Sequence, residues 1–200
     1  MIAFLPLLIC AVLGYLIGCF STGLAVSKST GVDVRSLGSK STGATNVSRV
    51  FGFKLGLVTF LGDCAKGIIA AEIGTLIMGR NGAMVASVFA VIGHNWPVFH
   101  DFKGGKGIAT SCAVLLWLFP METLIALAAG FAVIAFTKYV SLGSLTVLLI
   151  VLITSVFTRP FWPDVVFSLM LAAIGTMRHS ANIERLLRGK ESKFSFRKKG

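Results

Sequence analysis

Charge is scarce in this chain. Only 14% of its 200 residues are Asp, Glu, Lys or Arg, against about 25% in a soluble domain. Hydrophobic residues make up 55%, so no water-facing surface of ordinary size can be built. That excludes a soluble globular domain and leaves the bilayer as solvent. Negative charge is scarcest: 8 Asp and Glu stand against 19 Lys and Arg, for a formal charge of +11. In a soluble protein such an excess would suggest nucleic acid. No motif interleaving aromatic and basic residues is present, so no nucleic-acid partner is expected. The cations fit cytoplasmic loops, anionic substrates and lipid headgroups instead.

Cysteine chemistry is lacking too. Cys10, Cys19, Cys64 and Cys112 all lie in apolar stretches without CxxC or Cys/His spacing, as expected of inert buried thiols. The basic side shows no His, Cys or carboxylate cluster at ligand spacing, so neither a metal nor another cofactor is expected. Residues 1–27 carry no charge. The basic segment of a cleaved signal peptide is therefore missing, and residues 1–26 are expected to remain as a membrane span.

What is present is a series of apolar runs: 1–27, 55–79, 81–100, 107–121, 123–137, 139–158 and 165–177. A spanning helix needs about 20 residues. Three of the runs are short and need flanking residues, snorkelling or local thinning. A single helix through 107–137 would be about 46 Å long, against a hydrocarbon core of about 30 Å, so Pro120 is read as a break. The expected architecture is an all-α integral membrane protein with about seven transmembrane helices. With the N-terminus outside and the C-terminus cytoplasmic, 16 of the 19 Lys and Arg fall on one side, in keeping with the positive-inside rule. Six spans would put the basic tail outside. Residues 1–200 read as one membrane-embedded domain ending in a basic tail, 190–200, attracted to anionic membrane lipids. No internal repeat is evident.

Three polar patches interrupt the runs, and the seven-span count places all three on the cytoplasmic side. The first, LGSKSTGATNVSR at 37–49, combines turn-forming Gly38 and Gly43 with Ser39, Ser41, Thr42, Thr45 and Asn46. On a helix starting near Ala44, Asn46 and Arg49 share a face, an arrangement suited to a phosphate at a helix N-terminus. An ordinary helix cap uses the same residue types. The second patch includes FKGGKGIAT at 102–110. Gly104, Gly105 and Gly107 let the amides of 104–107 approach an anion, with Lys103 and Lys106 adding charge. The pattern is not a nucleotide-binding P-loop, because Lys106 is followed by Gly107 and position 100 is His. A basic collar at a helix end is the blander alternative. The third patch, RHSANIERLLRGKE at 178–191, places His179 and Asn182 three apart on one helical face, among Arg178, Arg185 and Arg188. Such loops suit a membrane enzyme acting on phosphorylated, lipid-linked substrates.

Asp63 and Lys66, three apart within a span, are either functional intramembrane charges or a mutually paired structural bridge. Glu72 is placed near the outer interface. His94, beside Trp96 and Pro97, is expected to support the adjacent loop. His100 and Asp101 have no visible partners.

Together these residues resemble the bacterial membrane acyl-phosphate:glycerol-3-phosphate acyltransferase family. Its first motif is like G-S-G-N-x-G-A-T-N-x-x-R, matched by Gly38, Ser39, Gly43, Ala44, Thr45, Asn46 and Arg49. Its second is like G-H-x-x-P-V-F-x-x-F-K-G-G-K-G-x-A-T, matched by Gly93, His94, Pro97, Val98, Phe99, residues 102–107, Ala109 and Thr110. Its third is like R-H-x-x-N-I-x-R-L-x-x-G-x-E, matched by Arg178, His179, Asn182, Ile183, Arg185, Leu186, Gly189 and Glu191. Asp63, Lys66 and Gly67 fit its D-x-x-K-G signature. The match runs nearly end to end; the departures are Lys40 and Ser41, where the family usually has Gly and Asn. His179 and Glu184 only distantly resemble the His-x4-Asp pair of other glycerolipid acyltransferases.

The resemblance implies transfer of a fatty acyl group from acyl phosphate to the 1-hydroxyl of glycerol 3-phosphate. The products would be 1-acylglycerol 3-phosphate (lysophosphatidate) and phosphate, in the first acylation of phospholipid synthesis at the bacterial inner membrane. On this reading Arg49, Lys106, His179 and Asn182 are catalytic. Ser39, Thr45, Asn46, Lys103, Gly104, Gly105 and Gly107 bind substrate phosphate. The competing reading is a transporter of a phosphorylated solute, supported by Asp63 and Lys66 near the midplane. Transporters, however, tend to show repeats and midplane sites, whereas these patches gather on one side.

Overall fold

A computed structural model of the chain describes residues 4–194. All regular structure among them is helical: α1 (Phe4–Cys19), α2 (Thr22–Thr30), α3 (Ala44–Phe51), α4 (Phe53–Asn95), α5 (Ile108–Leu118), α6 (Pro120–Thr137), α7 (Val140–Thr158), α8 (Trp162–Arg178) and α9 (Ser180–Leu187), with 3-10 turns at Val34–Ser36 and Val98–His100. The helical segments Phe4–Thr30, Phe53–His100, Pro120–Thr137 and Val140–Thr158 are long and apolar enough to cross a membrane. The basic tail beyond Phe194 lies outside the described residues.

The sequence's break points recur as chain geometry. α5 ends at Leu118 and α6 starts on Pro120, where a missing N–H costs no helical hydrogen bond. As one rod, the 43 residues of α4 would reach about 65 Å, twice the hydrocarbon thickness. The rod breaks at Met78 (φ −147°, ψ 32°) and Gly79 (φ 56°, ψ −145°). Gly74 and Gly82 then meet so closely that a methyl on either would strike the other's backbone. α4 is thus two arms.

The described residues form two compact units, within Met1–Val114 and Leu115–Gly200. In the first, Gly14 and Gly18 of α1 lie against the backbone of Ala86 and Ala90 on the second arm of α4. Without a hydrophobic driving force between helices in lipid, such small-residue contacts supply the packing. The first arm packs Gly56 against Ser48 of α3 and Gly62 against Thr22 of α2. Leu24, Val26, Val34 and Val47 form a buried cluster, extended by Val50, Phe51 and Leu55. This cluster seats the loop 31–43 and α3 over α2.

In the second unit, Gly130 of α6 meets Gly143 and Val147 of α7. α6 and α7 run antiparallel, and a half-buried ion pair joins the start of one to the end of the other. Arg159 donates from Nε and Nη2 to the two Glu122 carboxylate oxygens, at 2.7 Å each. Thr158 Oγ1 adds a third donor at 2.8 Å. The guanidinium also lies 4.7 Å over the Phe119 ring, a cation–π contact, and Phe119 meets Phe167 edge-on at 5.6 Å.

Candidate active site

The first patch is built around Asn46. Gly38 turns the chain with φ +59°, and α3 starts at Ala44, so the positive end of its dipole lies at residues 41–45. Asn46 is 1% exposed and points under the loop, not out of it. Its Oδ1 accepts the Ser39 N–H at 2.8 Å. Its Nδ2 is shared among Val34 O (3.1 Å), Leu37 O (3.1 Å) and Ser41 O (2.9 Å). The amide therefore holds the loop's backbone in shape. Ser39, Thr45 and Arg49 are exposed. Although Asn46 and Arg49 sit three apart on α3, one faces the core and the other solvent. Lys40 occupies the left-handed region at φ +56°, a conformation glycine adopts without penalty.

Upstream, Arg35 clasps Asp33 through Nε (3.1 Å to each oxygen) and Nη2 (2.9 Å). The hydrogen bonds from Arg35 hold the Asp33 carboxyl below its ordinary range. Hydrogen bonding to Asp33, and more weakly the charge of Asp101, push the Arg35 guanidinium up. The first loop and the tip of the second thus lie within electrostatic reach.

The second patch folds back on the end of α4. Gly105 N–H donates to His94 O at 3.0 Å, so this amide is spent within the protein, unlike the open amide expected from the sequence. The glycines are needed for fit. A Cβ on Gly104 would strike His94 O, and one on Gly105 would strike the His94 imidazole at Nε2. Gly107 has φ +77°, and its Cβ would lie 2.8 Å from Asn95 Oδ1. Gly104, Gly105 and Gly107 are buried, Lys106 is half-buried and Lys103 is exposed. α5 begins at Ile108, so its N-terminal end faces the Lys106–Gly107 peptide. Asn95 is fully buried, and neither polar atom of its amide has a hydrogen-bond partner among the described residues.

Beneath this loop lie Asp63, Lys66 and His94, none more than 5% exposed. Lys66 Nζ is 3.0 Å from Asp63 Oδ1, 2.8 Å from Phe20 O and 2.7 Å from His94 Nδ1. The mutual pairing of Asp63 and Lys66, one of the two readings the sequence left open, is present, with His94 beside it. Tyr15 Oη donates to Trp96 O at 2.9 Å, tying α1 to the loop that follows.

The third patch lies in the second unit. His179 ends α8 and precedes α9. It is 2% exposed, and its Nδ1 lies 2.8 Å from Gly175 O. A carbonyl only accepts, so Nδ1 carries the proton and Nε2 is the acceptor nitrogen. Asn182 Nδ2 donates to Glu191 Oε1 at 2.6 Å, Arg185 Nε to Oε2 at 2.7 Å, and Ser141 Oγ to Oε1 at 2.9 Å. Burial alone would raise the Glu191 carboxyl, but these donors outweigh it and bring it below its usual range. Phe194 N–H donates to Lys138 O at 2.8 Å, fastening the chain beyond α9 to the start of α7. Sequence reasoning assigned Glu191 and Ser141 no role. For Glu191 the available signal was its match to the last position of the third motif.

Among the described residues no group of His, Cys, Asp and Glu could hold a metal ion. Cys64 and Cys112 are free and half-buried within apolar helices.

Residues 8–189 match the family model described as glycerol-3-phosphate acyltransferase. A glycerol-3-phosphate acyltransferase of Thermoanaerobacter sp. (strain X514) is 48% identical over 188 residues, covering 92% of this chain and 93% of the relative. One from Finegoldia magna is 42% identical, covering 95% and 97%. The crystal structure of PlsY (YgiH), an integral membrane glycerol 3-phosphate acyltransferase in its glycerol 3-phosphate form, aligns with TM-score 0.89 at 33% identity, over 94% of this chain and 96% of that one. Its lysophosphatidic acid form aligns at 0.87 with 32% identity, over 95% and 96%. With its motif loops in order and a fold shared nearly end to end, this integral membrane chain belongs to the glycerol-3-phosphate acyltransferase family.

Proposed function

We propose that this chain transfers a fatty acyl group from acyl phosphate to the 1-hydroxyl of glycerol 3-phosphate, releasing lysophosphatidate and phosphate. This is the first acylation of phospholipid synthesis. The observation that carries the reading is the end-to-end likeness to an acyltransferase crystallised in glycerol 3-phosphate and lysophosphatidic acid forms. The donor assignment rests on the three motifs and on the protein's own chemistry. Among the described residues no Ser/His/Asp nucleophile system is evident. An acyl phosphate is already activated, so direct attack by the glycerol hydroxyl needs positioning and charge stabilisation more than covalent catalysis.

Arg49 and Lys106 bind substrate phosphate or the developing negative charge. Ser39, Thr45, Lys103 and the backbone of Gly104 and Gly107 hold phosphate, while Gly105 seats the second loop on His94 O and Asn46 shapes the loop that presents Ser39. His179, through Nε2, accepts a hydrogen bond from the attacking hydroxyl, and Asn182 is a further substrate contact. The departing phosphate takes the proton, becoming more basic as it leaves. The chain is one acyltransferase domain with seven spans, N-terminus outside, in the bacterial inner membrane. Its active face is cytoplasmic.

Product analysis of the purified protein tests this. Glycerol 3-phosphate is supplied with acyl phosphate, acyl-CoA or acyl carrier protein in separate reactions. Lysophosphatidate should form rapidly with acyl phosphate alone. Equal or better turnover with acyl-CoA would remove the donor assignment. Solute accumulation in sealed vesicles without acylated product would favour a transporter.

A further inference from the structure

The buried cluster of Asp63, Lys66 and His94 lies outside the substrate-contacting residues proposed above, yet it bears directly on the glycine loop. An ammonium has three N–H donors and no acceptor. Lys66 Nζ hydrogen-bonds Phe20 O at 2.8 Å and His94 Nδ1 at 2.7 Å and ion-pairs with Asp63 Oδ1 at 3.0 Å, an oxygen that also lies 3.4 Å from His94 Nδ1. With Lys66 charged and paired to Asp63 it can only donate, so a neutral His94 accepts at Nδ1, the shorter of its two contacts, and carries its proton on Nε2. That is the nitrogen pressed against Gly105. The His94 main chain meanwhile accepts the Gly105 N–H at 3.0 Å. Side chain and backbone of one residue thus fix the loop from two sides.

The loop needs such a pin because a competing partner lies beside it. The buried Asn95 amide has both polar atoms unpaired among the described residues, directly under Gly107. A loop released from His94 could sink toward that amide and recover hydrogen bonds there. The geometry points to Asp63 and Lys66 as positioning residues for the reaction: they hold His94 in one tautomer and rotamer, and His94 sets the height of the Gly104–Gly107 segment that receives a phosphorylated substrate. This rests on the proposed reading only for which substrate is affected.

The test is hydrogen–deuterium exchange of the full-length protein in nanodiscs, paired with steady-state kinetics. The variants are His94→Leu, His94→Asn and the double variant Asp63→Asn/Lys66→Met. Asn keeps a polar atom near the place of Nδ1, whereas Leu does not. The double variant avoids leaving one buried charge without its partner, which is the more damaging change. In His94→Leu and the double variant, exchange is expected to rise in peptides covering residues 94–110 and to stay unchanged in α1. KM for one phosphorylated substrate should rise at least about tenfold while kcat changes less than about threefold, a split marking lost ground-state binding. His94→Asn keeps a partner for Lys66 but leaves the Nε2 position empty, so it should fall between wild type and His94→Leu in both readouts. Unchanged exchange at 103–110 in His94→Leu overturns the inference, whatever the activity. So does exchange raised evenly through the first unit, which signals general loosening, or His94→Asn behaving like His94→Leu. Exchange needs no turnover, so it still decides the matter if the wild type fails to acylate glycerol 3-phosphate.

Discussion

The side-chain carbonyl of Asn46 accepts the backbone N–H of Ser39 at 2.8 Å, across seven residues of chain. The same amide's two N–H groups serve three loop carbonyls. The shape of the first motif loop therefore depends on a side chain that both donates and accepts. Asn46→Asp is nearly isosteric but cannot donate, and it places a carboxylate among three carbonyl oxygens. Asn46→Ala leaves buried groups unpaired, at about 1–3 kcal/mol each. Asn46→Asp should be at least as damaging as Asn46→Ala in thermal unfolding, and both should lose most activity. Retained stability and activity in Asn46→Asp would show that the loop holds itself.

Much of this was readable in the residues, for physical reasons. The helix start at Ala44, the break at Pro120 and the turn at Gly38 follow from local backbone chemistry. What spacing could not give is which face of a short helix turns inward. Asn46 and Arg49 are three apart, yet one lies under the loop and the other in solvent. Nor could it foresee that Gly105 would spend its amide on His94, because that bond depends on how the chain folds back onto the end of α4. Ser141 and Glu191 are fifty positions apart, and no local pattern links them.

Arg49 and Lys106 are proposed to meet bound anions, whereas Lys28 and Lys54 are exposed cations outside the motifs. A charge-assisted hydrogen bond to an anion contributes about 1.5–3 kcal/mol. Arg49→Ala and Lys106→Ala should each lower kcat/KM about tenfold to more than a hundredfold. Lys28→Ala and Lys54→Ala should change it by less than about threefold, because exposed charges are screened. Similar modest losses at all four positions, in folded protein, would argue against a specific phosphate site.

Glu191 predicts a pH dependence of stability. Its folded-state pKa is lowered, against an unfolded value of about 4.3. The contribution is therefore complete above the unfolded value and is lost as pH falls through the folded one. Wild type should unfold at a higher temperature than Glu191→Gln at pH 7, and the difference should shrink as pH drops below about 4. A difference that stays constant down to pH 3 would mean that the carboxylate's charge contributes nothing. Ser141→Ala should reproduce part of the pH 7 effect.

The last prediction concerns the proton that the glycerol hydroxyl must lose. His179 donates through Nδ1 to Gly175 O at 2.8 Å, so the neutral ring presents Nε2 as its acceptor. That geometry serves equally for a general base and for a residue that only orients the hydroxyl, and the two roles separate in variants. Gln places an amide near the Nε2 position but cannot take up a proton at neutral pH. General-base catalysis typically contributes about 10²–10⁴-fold. If the departing phosphate takes the proton, His179→Gln should keep clearly more activity than His179→Ala, and its kcat–pH profile should match that of the wild type. Equal inactivity of the two variants, with loss of a wild-type acid limb near the histidine pKa, would instead make His179 the base. Substituting Asn at 179 supplies the control, since it can renew the bond to Gly175 O but leaves the Nε2 position empty. On the orienting role it should fold like wild type and turn over no faster than His179→Ala.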